Sequence, residues 1–276
     1  MVYVTFPAFA RRPRGFVGVR GPDAAGFLQR IVSNDVEALR AGESCDALLL
    51  TPKARVIAPL RILRRAEDDF LLLTEPELGD TVQGRLLRLR FAAKVEIDVE
   101  SHDSFVLFAD EQPSGVFVPA PDYARTAWEV IDGVPPPETA QLADDELELL
   151  RIEARTPSFG REIDDRVLPA EAGLVERAVS LTKGCYPGQE PIARLHYRGR
   201  ANRGLRVLAL DADELPAYDA ELAFDGKAVG RVTSAARRPD GGFLALAFVR
   251  REVPEDAVME VGGGGTARPA EVVRPA

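Results

Sequence analysis

Lys183-Gly184-Cys185-Tyr186-Pro187-Gly188-Gln189-Glu190 gathers a thiol, two glycines, a proline and three polar side chains into eight residues. Gly184 and Gly188 permit backbone conformations that other residues resist, so Cys185 is expected on a tight turn rather than in a strand. Pro191 tolerates a first helical turn, and Ile192, Ala193 and Leu195 follow it, which places Gly188 or Gln189 at a helix cap. A thiol ahead of a helix start, with Lys183 nearby and Arg194 about one turn on, would have a stabilised thiolate. The alternative is a cysteine buried as a small hydrophobe. His196, just beyond the motif, reads as a surface or packed histidine rather than a catalytic partner, and Cys45 reads as structural.

Outward from this segment, 276 residues with 46% apolar and 29% charged side chains suit an ordinary globular protein of two or three units. The net charge of −9 is unevenly spread. Residues 1–65 hold 11 basic against 5 acidic side chains, residues 96–176 hold 5 against 20, and residues 180–206 return to 6 against 1. Folded against each other, the two basic stretches would form one local anion site, for a phosphate, a carboxylated cofactor or RNA. The acidic middle argues against an extended nucleic-acid face. Two cysteines cannot supply four thiolates to a cluster, and neither they nor His102 and His196 form a zinc pattern. Sparse cysteine suits a reducing compartment. The start of the chain places its charge after the apolar run, the reverse of a signal peptide, and no run spans a bilayer, so a soluble cytoplasmic protein without membrane contact is expected.

Along the chain, Gly15–Arg20 reads as a strand and the positions Ala24, Phe27, Leu28 and Ile31 as a helix stopped by Ser33-Asn34-Asp35. Arg55–Leu63 and Phe70–Leu73 read as a hairpin, Thr74–Glu77 as a helix start, and Ala93–Val99, Ser104–Phe108 and Thr126–Ile131 as strands. Asp144 or Asp145 opens a helix through Ala154. Trp128 and Tyr123 could stack on a flat ligand, although a strand tryptophan is usually core. Beyond residue 202, short β segments alternate with Asp, Gly and Pro, and Asp225-Gly226 is a hairpin signal. A small barrel or sandwich is expected there, with Gly262–Gly265 as a turn before a last strand at Ala270–Val273. The three units run 1–110, 111–201 with the motif, and 202–276.

The segment 183–190 resembles the signature of the YgfZ-like folate-binding family, within the superfamily of glycine-cleavage T-proteins (aminomethyltransferases), and it matches every fixed position of that signature. Gly21-Pro22-Asp23 with Phe27-Leu28-Gln29, Arg151-Ile152-Glu153, Leu168-Pro169-Ala170-Glu171 and Gly230-Arg231-Val232-Thr233-Ser234 extend the resemblance over most of the chain. It implies an α+β fold with two sheet-and-helix subdomains around a central folate-sized channel and a small C-terminal β-barrel. It further implies tetrahydrofolate or a derivative as ligand, and iron–sulfur enzymes or assembly proteins as partners, with tRNA modification supported indirectly and direct tRNA contact weakly supported. Cys185 would be the reactive thiol and Lys183 the charge that lowers its pKa. Tyr186, Gln189 and Glu190 would orient the loop or meet the ligand, and Arg194 and Arg198 would hold the folate tail or another anion.

Two positions depart from the pattern. Ala54 replaces the glycine that follows Pro52-Lys53, a modest change for a residue at negative φ. Ala58-Pro59 stands where T-proteins place a catalytic aspartate, and without that carboxylate aminomethyl transfer loses its electrostatic partner. The expected function is therefore a folate-binding accessory role in iron–sulfur cluster biogenesis or repair, with a tetrahydrofolate-dependent aminomethyltransferase as the alternative.

Overall fold

The computed structural model describes residues 7–273; residues 1–6, which carry the apolar start, and 274–276 lie outside the described residues. The first sheet is built from β2 (Gly15–Arg20), β3 (Ser44–Leu50), β4 (Val56–Ala66), β5 (Asp69–Thr74) and β6 (Glu96–Glu100), with β1 (Ala8–Arg11) passing elsewhere. Its order is β3-β4-β5-β2-β6, with every pairing antiparallel. Alternation along β4 explains its two covered faces. Ala58, Leu60 and Ile62 pack with Phe27 and Leu28 of α1 (Ala24–Gln29) and with Val82 and Leu86 of α2 (Gly79–Leu89). Leu63, on the opposite face, packs with Val118 and Ile131 of the second sheet.

That second sheet comprises β7 (Ser104–Phe108), β8 (Val116–Pro119), β9 (Ala127–Ile131) and β10 (Ala140–Gln141) in the order β10-β1-β7-β9-β8. Strand β1 runs parallel to β10 and antiparallel to β7. A division at residue 110 therefore does not separate the sheets, because β1 and β7 both pair with strands beyond it. Nothing in Ala8–Arg11 advertises this: four residues are too short for a clear period, and the partner lies about a hundred residues away.

After α3 (Asp144–Glu153) come the short α4 (Val175–Ala178) and α5 (Gln189–Arg198). Leu150 and Ile152 of α3 share one core with Val106 and Phe108 of the second sheet, Leu48 and Leu50 of the first, and Leu246 and Phe248 of the C-terminal unit. That unit is a closed barrel of β11 (Arg203–Asp211), β12 (Glu221–Phe224), β13 (Lys227–Arg237), β14 (Phe243–Arg250), β15 (Met259–Val261) and β16 (Thr266–Pro269). Closure removes the exposed edges that a small sandwich would leave. Asp225 and Gly226 take φ of 50° and 70° in the β12–β13 hairpin. The last strand precedes the expected 270–273, directly after the Gly262–Gly265 turn. No described helix is long and apolar enough to cross a membrane.

Candidate functional site

The motif loop is fastened to the exit of α1. Ser33 Oγ donates to Ala178 O at 2.6 Å and accepts from Leu48 N at 2.7 Å, while Ser180 N donates to Ser33 O at 3.0 Å. Lys183 is buried, and its ammonium donates to Val32 O at 2.8 Å and Asn34 O at 2.6 Å, with Nζ 5.4 Å from the centroid of Tyr186. Burial pushes its pKa down to about 8, against the pull of Asp35, Cys45 and Glu37. Its hydrogen bonds and charge partners thus lie at the exit of α1 and at Cys45. These contacts anchor the loop to the exit of α1. Cys45 is half-buried, and burial, followed by the charge of Asp46, pushes its thiol up to about 12, so it is no nucleophile at neutral pH.

Cys185 is exposed and unbridged. Tyr186 turns inward beside it, its hydroxyl buried without a partner and its pKa pushed up to about 12 by burial. Gly188 has φ of 85° and caps α5; a Cβ there would stand 2.7 Å from Thr51 O and 3.2 Å from Ala54 Cα. Loop and helix are therefore seated on the β3–β4 turn. Ala54, the alanine in place of glycine, is buried with φ of 57°. The substitution is thus a strained one, since the left-handed region costs an L-residue roughly 1–2 kcal/mol. Gln189 and the exposed Glu190 open α5, where a carboxylate suits the helix dipole. His196 is exposed and stacks edge-on against Tyr197. Arg194 and Arg198 line an outer groove together with Lys53 and Arg55.

Between the two sheets lies a second feature, a narrow cleft with a cavity volume of about 70 Å³, or about 670 Å³ counting the open space at its mouth, walled by Pro59, Leu60, Leu73, Tyr123, Ile163 and Leu174. Arg12, Arg14, Arg61, Arg151 and Arg177 line it with Asp46, Glu75 and Asp122, and Glu129 pairs with Arg14 and Arg61. Arg14 grips Glu129 with Nε at 2.6 Å and Nη2 at 3.0 Å. Arg61 donates to Asp46 at 2.9 Å, Asp122 at 2.9 Å and Glu129 at 3.3 Å. Arg177 also bonds Asp46 and Asp122, and Arg12 reaches Glu75 at 3.2 Å. Burial alone would raise the carboxyls of Asp46, Asp122 and Glu129, but the arginines prevail and hold all three below the usual range.

Among the motif candidates, none lines this cleft. Its charged residues escape a reading of motifs, although an arginine within Leu60-Arg61-Ile62-Leu63 and a glutamate within Ala127–Ile131 are the signal: a charge inside an apolar strand requires a partner. Trp128 serves structure, its Nε1 donating to Ala109 O at 3.1 Å and its ring edge-on to Phe117. Tyr123 is buried at the cleft wall against Phe108. Arg12 Nε is buried there without a partner. Apolar walls and one orphaned donor suit a flat heterocycle with acceptor atoms on its edge, such as a pterin.

An antiparallel and a mixed sheet around a charged cleft, with a closed barrel against them, define the T-protein class of fold. An aminomethyltransferase T of the glycine cleavage system from Bartonella henselae superposes with a TM-score of 0.81 over 96% of this chain and 84% of that one, at 18% identity. In sequence, a tRNA-modifying protein YgfZ of Edwardsiella ictaluri is 29% identical over 89% of this chain and 85% of its own length. A Bacillus subtilis aminomethyltransferase is 24% identical over 87% and 78%. No protein-family model matches the chain. Sequence similarity and fold together support assignment of the chain to the YgfZ and T-protein-like folate-binding family.

Proposed function

We propose that this protein is a folate-binding accessory factor in iron–sulfur cluster biogenesis or repair, supporting tRNA modification indirectly, rather than an aminomethyltransferase. The observation that carries the reading is the acid chemistry of the cleft. By the family resemblance Ala58-Pro59 stands where T-proteins place their acid, and Asp46, Glu75, Asp122 and Glu129 are each paired with arginine. Asp46, Asp122 and Glu129 are held below the usual carboxylate range by their guanidinium partners, which makes each a poor proton acceptor for an amine.

When bound, a reduced folate would supply its pterin ring and one-carbon-carrying nitrogens. Pro59, Leu73 and Tyr123 would flank the ring, and Arg12 Nε would donate to its edge. Cys185 would act at the surface, as a thiolate ligand or redox group for clusters carried by a partner protein. Lys183 and Tyr186 position that loop by their burial, while Gln189 and Glu190 present the start of α5 to the same partner. The names of the YgfZ relatives support a link to tRNA modification.

Calorimetry with reduced folate tests the cofactor half. Micromolar binding is expected, reduced at least about tenfold by Leu73→Arg, and absence of binding to the wild type would remove this half. In a strain lacking the protein, Cys185→Ala is expected to bind folate normally yet fail to restore iron–sulfur enzyme activity; full restoration would remove the thiol half. Turnover of tetrahydrofolate with an aminomethylated carrier would favour the transferase reading instead.

A further inference from the structure

The two basic stretches of the sequence do meet, but outside the cleft. Lys53 and Arg55, on the β3–β4 turn, face Arg194 and Arg198, one helical turn apart on α5, across an open groove flanked by Leu168 and Leu195. No carboxylate lines it. Among the described residues, no ion pair or side-chain hydrogen bond engages any of the four cations, and Arg55 Nη1 is buried without a partner. Glu190, one turn before Arg194, lies outside the lining and makes no ion pair with it.

The placement is built rather than scattered. Thr51 N donates to Arg55 O at 2.9 Å and Thr51 Oγ1 accepts from Arg55 N at 3.0 Å, tightening the turn around the left-handed Ala54. Gly188 seats α5 directly on that turn, so both cation pairs are held by backbone rather than by flexible loops. Strain retained at such a position is characteristic of sites that fix a ligand.

We propose that this groove binds the polyphosphate group of a small phosphorylated ligand. Four unneutralised cations within one groove exceed what a single carboxylate or phosphate would use. The Lys53 ammonium and Arg55 guanidinium on one side and the two guanidiniums of Arg194 and Arg198 on the other match the several oxygens of a di- or triphosphate, and the leucines flank it where the rest of the ligand would lie. A long nucleic-acid backbone fits less well, because the acidic stretch 96–176 repels phosphates beyond the groove. This inference is independent of the folate reading.

The test is titration of the full chain with pyrophosphate, ATP and a 12-nucleotide single-stranded RNA at low salt. Pyrophosphate and ATP are expected to bind, each weakened at least about tenfold in Arg194→Glu/Arg198→Glu and in Lys53→Glu, while Arg238→Glu on the barrel leaves binding unchanged. Tighter binding of ATP than of pyrophosphate would assign the flank to a nucleoside; equal binding would assign the phosphates alone. Thermal melts of the groove variants should match the wild type, because no ion pair or side-chain hydrogen bond is removed, and reduced-folate affinity should be unaltered. The proposal is overturned if neither phosphate binds, if the double charge reversal leaves binding intact, or if the RNA binds more tightly than ATP through the same residues.

Discussion

Two clusters of four cations lie in this molecule, and they are opposites. In the cleft, Arg12, Arg14, Arg61 and Arg177 meet four carboxylates and are closed in by two sheets. In the outer groove, Lys53, Arg55, Arg194 and Arg198 meet none. Water and salt solvate the outer set at little cost, whereas ionised groups between sheets persist only when paired. The inner cluster is thus a device of assembly, joining strands from both sheets to α4. The outer one contributes almost nothing to folding and remains available for a ligand.

The largest difference should appear on removing one cation from each. Arg61→Met removes one of two arginine partners from each of Asp46, Asp122 and Glu129, leaving the first two to Arg177 and the third to Arg14, and is expected to destabilise the protein by about 3 kcal/mol in urea unfolding, whereas Arg194→Ala should stay within about 0.5 kcal/mol. Equal effects would erase the distinction. The pH dependence follows with its sign. The depressed carboxyls of the cleft contribute stability above the ordinary carboxylate range, and that contribution disappears as pH falls through their folded values. Arg61→Met should flatten this acid limb, and Arg194→Ala should not.

Next in size is the joint between loop and turn. Gly188→Ala adds a Cβ at 2.7 Å from Thr51 O on a backbone of φ 85°, and should cost about 2 kcal/mol or more. It should also weaken phosphate binding by displacing α5, without touching the cleft.

Lys183 supplies an alkaline signature. An unfolded lysine keeps its proton to about 10.5, while the folded one releases it near about 8. Between those values the unfolded state binds more protons, so stability rises with pH, and Lys183→Met should remove the rise in unfolding measured from pH 8 to 10.

The smallest effect is expected of Ala54→Gly. Relief of the left-handed strain, offset by added freedom of the unfolded chain, should leave a gain of at most about 1 kcal/mol. A loss of stability would mean that the turn is not strained.

What the sequence disclosed follows the range of the forces involved. The turn at Gly188, the cap of α5, the Asp225-Gly226 hairpin and the helix over 144–153 are set by neighbours within a few residues, and they can be read locally. The motif also signalled an accessible thiol. It could not reveal which way Lys183 points, because its carbonyl partners are 151 and 149 residues away. The Arg14–Glu129 and Arg177–Asp46 pairs span 115 and 131 residues and have no period to betray them. Ala54 shows the converse: its residue type is visible, but the sign of its φ depends on the turn it closes.

The course of β1 has a consequence for biogenesis. A ribosome delivers Ala8–Arg11 before both of its partners: its antiparallel neighbour Ser104–Phe108 emerges roughly a hundred residues later and its parallel neighbour Ala140–Gln141 later still. The whole first sheet can close in the interval, so this strand waits, unpaired, for the second sheet to reach it.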